Sequence, residues 1–318
     1  MAQNTLLAAQ SRLVSEGLLR RAGRKSLEIT AERTRVSGAP LRVAFLLAND
    51  YVRTGVLLRE LLSEAQTALE NEGHICLHLV HPDISADSPG EDFAARVNEI
   101  AADAWLVFAG SQATLSWFLS RETPVLAVGG RCRDLPIAAV GEVAENAMRE
   151  AIRSLLSLGH RRIVFVSDRT WRTPTDGRVV KTFREELKAA GLPVGPFNLP
   201  DWEESPAGHL KLLRDLFQLT PPTAMIFSDY EPLISAISFA ASRGIVIPRD
   251  LSMVVMGNDA SLDWIVPAPA RFDCSNRKIL NNLLLWIDQV RKGQGDLREQ
   301  RLVEARFVPG HSLAPAPR

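Results

Sequence analysis

Leu41-Arg42-Val43-Ala44-Phe45-Leu46-Leu47-Ala48 is a short apolar run that stops at Asn49-Asp50, and Thr54 to Asn71 then carries Val56, Leu57, Leu61, Leu62, Ala65 and Leu69 at helical spacing. The run predicts a strand and the spacing after it an amphipathic helix. The alternation repeats, with strands expected at Ile75–Val80, Ala104–Phe108, Pro124–Val128 and near Ile137–Val140, and helices at Glu91–Ala102 and Gln112–Ser120. A second series follows. It has a helix at Glu145–Leu158, a strand at Ile163–Ser167, helices at Arg178–Ala190 and His209–Leu216, a strand at Ala224–Ser228, a helix at Leu233–Arg243 and a strand at Leu251–Met256. Strands that are apolar throughout are buried on both faces, so helices must cover both sides of a parallel sheet. The expected fold is therefore α/β, two Rossmann-like lobes with parallel sheets. The first lobe covers about 41–141 and the second about 142–318, with a crossover of the chain near 265–300. In open parallel sheets ligands bind beyond the carboxyl ends of the strands. The loops beginning at Asn49, Gly110, Ser167, Asp229 and Asn258 should line a cleft between the lobes.

Composition sets the frame. The chain has 318 residues, 46% hydrophobic and 23% charged, enough for two cores of ordinary size. No stretch approaches the ~18 apolar residues of a membrane span, and no secretion signal opens the chain, so a cytoplasmic location with no membrane partner is expected. Cys76, Cys132 and Cys274 are odd in number and far apart, which fits reduced thiols better than disulfides or a metal cluster. The phosphate loop, the Gly-x-Gly-x-x-Gly turn, the Gly-x-Ser-x-Gly elbow and paired metal-spaced histidines are all missing. No catalytic residue, cofactor or metal is expected, and the chain reads as a non-enzyme.

Ahead of the first strand, Leu6, Ala9 and Leu13 make one apolar helical face, Gly17 ends that helix, and Arg20-Arg21-Ala22-Gly23-Arg24-Lys25 is a basic turn between two possible short strands. From Met1 to Arg35 there are seven basic and three acidic residues, a surplus of four in a chain whose net charge is zero. Such a field suits duplex DNA. The segment resembles the GntR-type recognition helix and wing, Thr-Val-x-x-Ala-Leu-x-x-Leu-x-x-Glu-Gly-Leu; Thr5, Ala9, Leu13, Glu16, Gly17 and Leu18 match it and Gln10 departs from its Leu. The resemblance implies that residues 1–30 are a partial winged helix, lacking the two helices that would bury Leu6, Ala9 and Leu13, and that 31–40 form a linker. Asn4, Thr5, Arg12, Arg20, Arg21, Arg24 and Lys25 are the expected DNA contacts, weak in this form. An ordinary amphipathic helix followed by arginines is the plainer reading, and whether Met1 is the natural start stays open.

Leu155-Leu156-Ser157-Leu158-Gly159-His160-Arg161-Arg162-Ile163 resembles the Leu-Leu-x-x-Gly-His-Arg-Arg-Ile joint of LacI/GalR-type regulators. Phe183 through Leu187 to Gly191, Pro222-Thr223-Ala224-Met225-Ile226-Phe227 and Gly244-Ile245-Val246-Ile247-Pro248-Arg249-Asp250-Leu251-Ser252 are similar to further segments of that family, in the same order. The resemblance implies a type I periplasmic-binding-protein-like sensor, whose cleft takes a small effector such as a saccharide and whose dimer couples closure to DNA binding. In sequence terms Gly244 ends a helix, Pro248 prevents its extension, and Asp250 supplies a turn acceptor. His160 falls at a helix end and reads as a structural joint. The family's cleft arginine would fall on Val179, one residue after Arg178, and its Gly-Phe-Asp-Asp reads Gly257-Asn258-Asp259 here.

The expected ligand contacts, taken from the strand-end loops, are Asn49, Asp50, Tyr51, Ser111, Gln112, Arg172, Arg178, Asp229, Tyr230, Asn258 and Asp259. Polar groups there would meet hydroxyls, and aromatic rings the apolar faces of a sugar. Trp117, Trp171 and Trp264 are further stacking candidates, and Trp105 reads as core. Two other functions stay open: a sensor acting without DNA, as a truncated or degraded regulator, and a soluble solute-binding protein. A homodimer is expected, with first-lobe helices starting near Thr54 and Glu91 as candidate surfaces, unless the surplus among Val56, Leu57, Leu58, Leu61 and Leu62 packs on a neighbouring helix.

Overall fold

The computed structural model describes residues 19–21, 27–29, 38–48, 56–85 and 88–317. The expected recognition helix, and with it Asn4, Thr5 and Arg12, lies outside the described residues, as do Arg24 and Lys25. Two short strands do flank the basic segment: β1 (Leu19–Arg21) and β2 (Leu27–Ile29) pair antiparallel, with Arg20 opposite Glu28 and Arg21 opposite Leu27.

The rest alternates as the apolar runs predict. The first series is β3 (Arg42–Leu47), α1 (Val56–Asn71), β4 (Ile75–Val80), α2 (Glu91–Glu99), β5 (Ala104–Phe108), α3 (Gln112–Leu119), β6 (Val125–Val128) and β7 (Ala138–Val143). The second is α4 (Glu145–Ser157), β8 (Ile163–Val166), α5 (Arg178–Ala189), α6 (Pro206–Leu219), β9 (Ala224–Phe227), α7 (Tyr230–Ser242), β10 (Ser252–Met256) and β11 (Ala270–Asp273). Then come α8 (Asn276–Lys292), β12 (Gln300–Glu304) and β13 (Arg306–Val308). One sheet has the order β12-β7-β6-β5-β3-β4, all parallel; the other is β13-β11-β10-β9-β8, with only β13 antiparallel.

The chain passes between the sheets three times: after β7, after β11 and between β12 and β13. The passes lie together, since the Ala305 N–H donates to the Val143 carbonyl at 2.9 Å and the Cys274 thiol reaches the Val303 carbonyl at 3.8 Å. The strand β12 returns residues 300–304 to the first sheet by pairing with β7. Sequence gave no strand there because Gln300-Arg301-Leu302-Val303-Glu304 lies at a sheet edge, partly exposed, and needs no apolar run.

Each central strand splits its side chains between two cores. Phe45 and Phe108 face the inner core shared with α1, α4, α5 and α8, whereas Leu46 and Val107 face an outer core under α2 and α3. In the second sheet Phe165 and Val254 point inward, and Val164 and Val255 outward toward α6 and α7. This is why neither series shows strand alternation. Leu61, Leu62, Ala65 and Leu69 of α1 are buried, Leu58 packs against the same core and α1 packs on α8, so these leucines are used within the fold; the side chains of Val56 and Leu57 lie outside the described residues.

The two motif joints behave as their chemistry requires. His160 follows α4, is fully buried, and contacts the Thr223 hydroxyl through Nδ1 at 3.0 Å and the Ala314 carbonyl through Nε2 at 2.9 Å. Gly244 ends α7 with φ +69°, and the Asp250 carboxylate accepts the Val246 N–H at 2.8 Å, closing the turn into β10. The side chain of Arg249 beside it, with that N–H, holds the Asp250 carboxyl down at about 2. The three cysteines are free, Cys132 and Cys274 buried. No helix among the described residues is long and apolar enough to cross a membrane.

Candidate functional site

Two neighbouring strands of the second sheet end in the same dipeptide. β8 runs into Ser167-Asp168 and β9 into Ser228-Asp229, and the parallel register Val166↔Phe227 sets the two aspartates side by side at the sheet's carboxyl edge. The Ser228 N–H donates to the Val166 carbonyl at 3.0 Å, and its hydroxyl donates to Asp229 at 3.1 Å. The Asp168 carboxylate receives no hydrogen bond among the described residues. Burial, then Asp229, Glu204 and Glu231, push the Asp168 carboxyl up to about 7 against the weaker pull of Arg172. Burial, with Glu231 and Glu204, pushes Asp229 up to about 6 despite its Ser228 hydrogen bond.

Beside them a recess of about 250 Å³, open to solvent, is lined by Asp229, Tyr230, Met256, Gly257, Asp259 and Leu262. Asp259 also caps the short helix at Ala260–Trp264, accepting the Ser261 N–H at 2.6 Å. On the facing lobe, the Glu60 carboxyl of α1 is raised by burial and by Asp259. Arg59, one residue earlier, reaches Glu231 at 3.5 Å.

The first lobe adds a clamp. Gly130, at φ +75°, lies so close to the Gly110 backbone that a Cβ would meet its oxygen at 2.5 Å, which packs the β6–β7 turn onto the β5–α3 turn. Arg131 then donates across the cleft to the carbonyls of Thr170, Thr173 and Thr175 at 3.1, 3.0 and 2.6 Å. Arg178 pairs with Asp134 across the same gap.

Of the expected contacts, Asp229, Tyr230 and Asp259 are brought together at the recess. Asn258 turns to Asp273, donating at 2.7 Å. Ser111 sits at the carboxyl end of β5, but its hydroxyl is occupied as the cap of α3, accepting the Thr114 N–H at 3.1 Å; Gln112 beside it is exposed. Arg172 is held by its own lobe, to Asp201 at 2.9 Å and the Leu199 carbonyl at 3.2 Å, and Arg178 serves as an interlobe tie. Asn49, Asp50 and Tyr51 lie outside the described residues. Trp105 is core, Trp171 packs edge-on against Phe165, Trp117 packs on Phe93 under Arg121, and Trp264 is 89% exposed. Sequence reading passed over Asp168, Glu204, Glu60 and Arg131. The repeated Ser-Asp at two strand ends was the available signal for the first; the others are joined to the site only by the fold. Among the described residues no group of three or more His, Cys, Asp or Glu is placed to hold a metal ion.

Two α/β lobes joined by three passes, with a recess at the carboxyl edge of the second sheet, define the class of two-lobed binding proteins. The chain belongs to the periplasmic binding protein-like domain family, whose model matches residues 152–313. It is 27% identical over 115 residues to catabolite control protein A of Priestia megaterium, covering 36% of this chain and 35% of that protein. It is 26% identical over 160 residues to the HTH-type transcriptional regulator DegA of Bacillus subtilis, covering 49% of this chain and 46% of that one. The matches thus span between a third and a half of these relatives' length. In fold it is similar to the Escherichia coli transcriptional repressor AscG, with a TM-score of 0.68 at 16% identity, covering 86% of this chain and 99% of that one. It is similar also to a LacI family transcriptional regulator from Enterococcus faecium solved with bound ribose, with a TM-score of 0.68 at 16% identity, covering 87% and 100%.

Proposed function

We propose that the chain is a ligand-responsive transcriptional regulator that acts by binding and not by catalysis: a small molecule in the interlobe cleft shifts the lobes toward closure, and closure alters how a dimer presents its DNA-binding segments. The observation that carries this reading is the convergence of Asp229, Tyr230 and Asp259 on a recess facing Glu60 and Arg59 of the other lobe. Relatives named as transcriptional regulators, one solved with ribose, favour a sugar or sugar derivative as effector. The basic segment up to Arg35, with β1 and β2 as its wing, is the DNA-facing part, of GntR type. The reading places the protein in the cytoplasm.

The test is a thermal-shift screen of neutral, acidic and amino monosaccharides. At least one is expected to stabilise the protein by mass action, an effect lost in Asp229→Ala. The same compound is expected to change retention of duplex DNA in a mobility-shift assay. A panel without effect, or hits indifferent to Asp229→Ala, Asp259→Ala and Asp168→Ala alike, would refute the cleft as the effector site.

The dimer surface belongs on the second lobe. With Leu58, Leu61 and Leu62 of α1 packed internally, the most exposed large apolar groups among the described residues are Trp264, 89% exposed, and Val266, 92% exposed. A shallow groove of about 230 Å³ between Leu233, Ile237, Ile247, Ile265 and Pro267 adjoins Val266. A second copy of this chain is the occupant the regulatory reading requires, since two half-sites need two heads. Trp264→Glu is expected to turn a dimer into a monomer in sedimentation at tens of micromolar, and the melting temperature should no longer rise with protein concentration. A dimer that persists would place the interface elsewhere.

A further inference from the structure

We propose that the molecule taken by the interlobe cleft carries a protonated amine, seated between the carboxylates of Asp168 and Asp229; this rests on the reading of the cleft as the effector site.

Charge makes the case. At the carboxyl edge of the second sheet, Asp168 and Asp229 stand side by side, with Glu204 and Glu231 near enough to raise both carboxyls. Glu60 faces Asp259 from the other lobe. Four nearby cations are committed to the protein itself: Arg172 to Asp201, Arg178 to Asp134, Arg131 to three carbonyls, and Arg59 to Glu231. An anionic ligand would find these guanidinium groups engaged and would meet the paired Asp168 and Asp229, flanked by Glu204 and Glu231.

A second observation concerns a neutral group. The Ser167 hydroxyl, in a residue 1% exposed, has no hydrogen-bond partner among the described residues, and it sits one residue before Asp168 at the same strand end. Buried hydroxyls are ordinarily bonded, so an unsatisfied one beside this crowded pair of carboxyls is what a polar ligand would complete. A metal ion is the competing cation, but no three carboxylate, imidazole or thiol groups among the described residues lie in range of one. An ammonium offers three donors and needs only two or three acceptors at hydrogen-bond distance.

The charge arrangement also supplies the coupling. Acidic groups on both faces, Glu60 on one and Asp259 on the other, repel as the lobes approach, and a cation between them removes that repulsion in the closed form more than in the open one. Binding must also displace protons from Asp168 and Asp229, whose carboxyls are pushed up to about 7 and about 6 by burial and by the acidic groups around them. Affinity for an amine should therefore rise with pH across that range.

The test compares matched trios by calorimetry and thermal shift: glucosamine, glucose and glucuronate, and the open-chain glucamine, glucitol and gluconate. The amine of at least one trio is expected to bind at least about tenfold tighter than its neutral partner, with the acid not binding. Asp168→Asn and Asp229→Asn should each weaken the amine by about tenfold or more. The affinity of glucamine, which stays protonated, should rise between about pH 5.5 and about pH 7.5 as protons leave the pair. A neutral sugar that binds as well as its amine, or an acid that binds best, would overturn the amine and leave the cleft reading standing. Silence from all six removes both.

Discussion

Replacing His160 with alanine is expected to lower folding stability by about 3 kcal/mol, one of the largest single losses available outside the apolar cores. The Ala314 carbonyl only accepts, so Nε2 must carry the proton and Nδ1 must accept from the Thr223 hydroxyl. Cutting the ring away removes the shorter bond of each buried partner, leaving the Thr223 hydroxyl only the Arg162 carbonyl at 3.5 Å and the Ala314 carbonyl only the Ser252 hydroxyl at 3.3 Å, and it leaves a hole between α4 and the segment that follows β13. That segment is stitched to the second sheet by further bonds: Ser312 to the Met253 carbonyl at 2.5 Å, Ala314 N–H to the Ser252 hydroxyl at 3.1 Å, and Ala316 N–H to the Leu158 carbonyl at 2.8 Å. Urea denaturation of His160→Ala measures the loss. His160→Gln, which keeps a donor, should lose less. A change smaller than about 1 kcal/mol would show that the ring does not hold the segment down.

Asp168→Asn and Asp229→Asn are expected to do the opposite, each raising the stability of the ligand-free protein by about 1 kcal/mol near pH 8. The sign follows from the carboxyls' raised values. From an ordinary 3.8, folding lifts Asp168 to about 7 and Asp229 to about 6, so the folded chain holds protons that the unfolded chain has released. That contribution is complete below about pH 4 and is lost as pH rises through 6 and then 7. Above that range both carboxylates are charged and crowded, and the amides escape the repulsion. Both groups are partly open to solvent, which keeps the effect well below what the shifts alone would give.

The histidines act the other way. Burial pushes His209 down to about 4 and also lowers His74, His78 and His160, so these rings stay neutral in the fold while the unfolded chain takes up protons below about 6.5. Their contribution is present above that value and fades toward pH 4. Thermal melts between about pH 5 and pH 8 should show the asparagine variants gaining on the parent as pH rises. An Asn variant less stable than the parent at pH 8 would contradict this account. Gaining stability while losing ligand is the pattern of residues kept for binding, and a merely structural aspartate would not show it.

The two lobes were legible in the sequence because a strand buried on both faces must be apolar at every position, as in Val43-Ala44-Phe45-Leu46-Leu47 and Ile163-Val164-Phe165-Val166. The strand at 300–304 was not, because an edge strand bonded on one side tolerates Gln, Arg and Glu. At the site, Asp229 and Asp259 were legible as polar residues in the loops that follow apolar strands. Arg172 and Arg178 carried the same signal, but each has a carboxylate partner, Asp201 and Asp134, which sequence distance conceals. The pairing of Asp168 with Asp229 depends on which strand lies next to β8, and local pattern says nothing of that. The surplus leucines of α1 show the same limit: helical spacing counts apolar residues without saying whether another helix or another molecule will cover them.

The three passes between the sheets have a mechanical consequence. Val143–Glu145, Asp273–Asn276 and Glu304–Arg306 run side by side and two of them are cross-bonded, so they behave as three knuckles of one door hinge. Sliding one lobe past the other, or splaying them sideways, would stretch at least one strip of backbone, whereas folding about the shared line only bends all three. What remains soft is a single rotation, and the residues farthest from the hinge line travel the greatest distance for a given angle. A molecule that draws the two faces together therefore delivers its differential affinity into that one rotation, undiluted by other modes of motion.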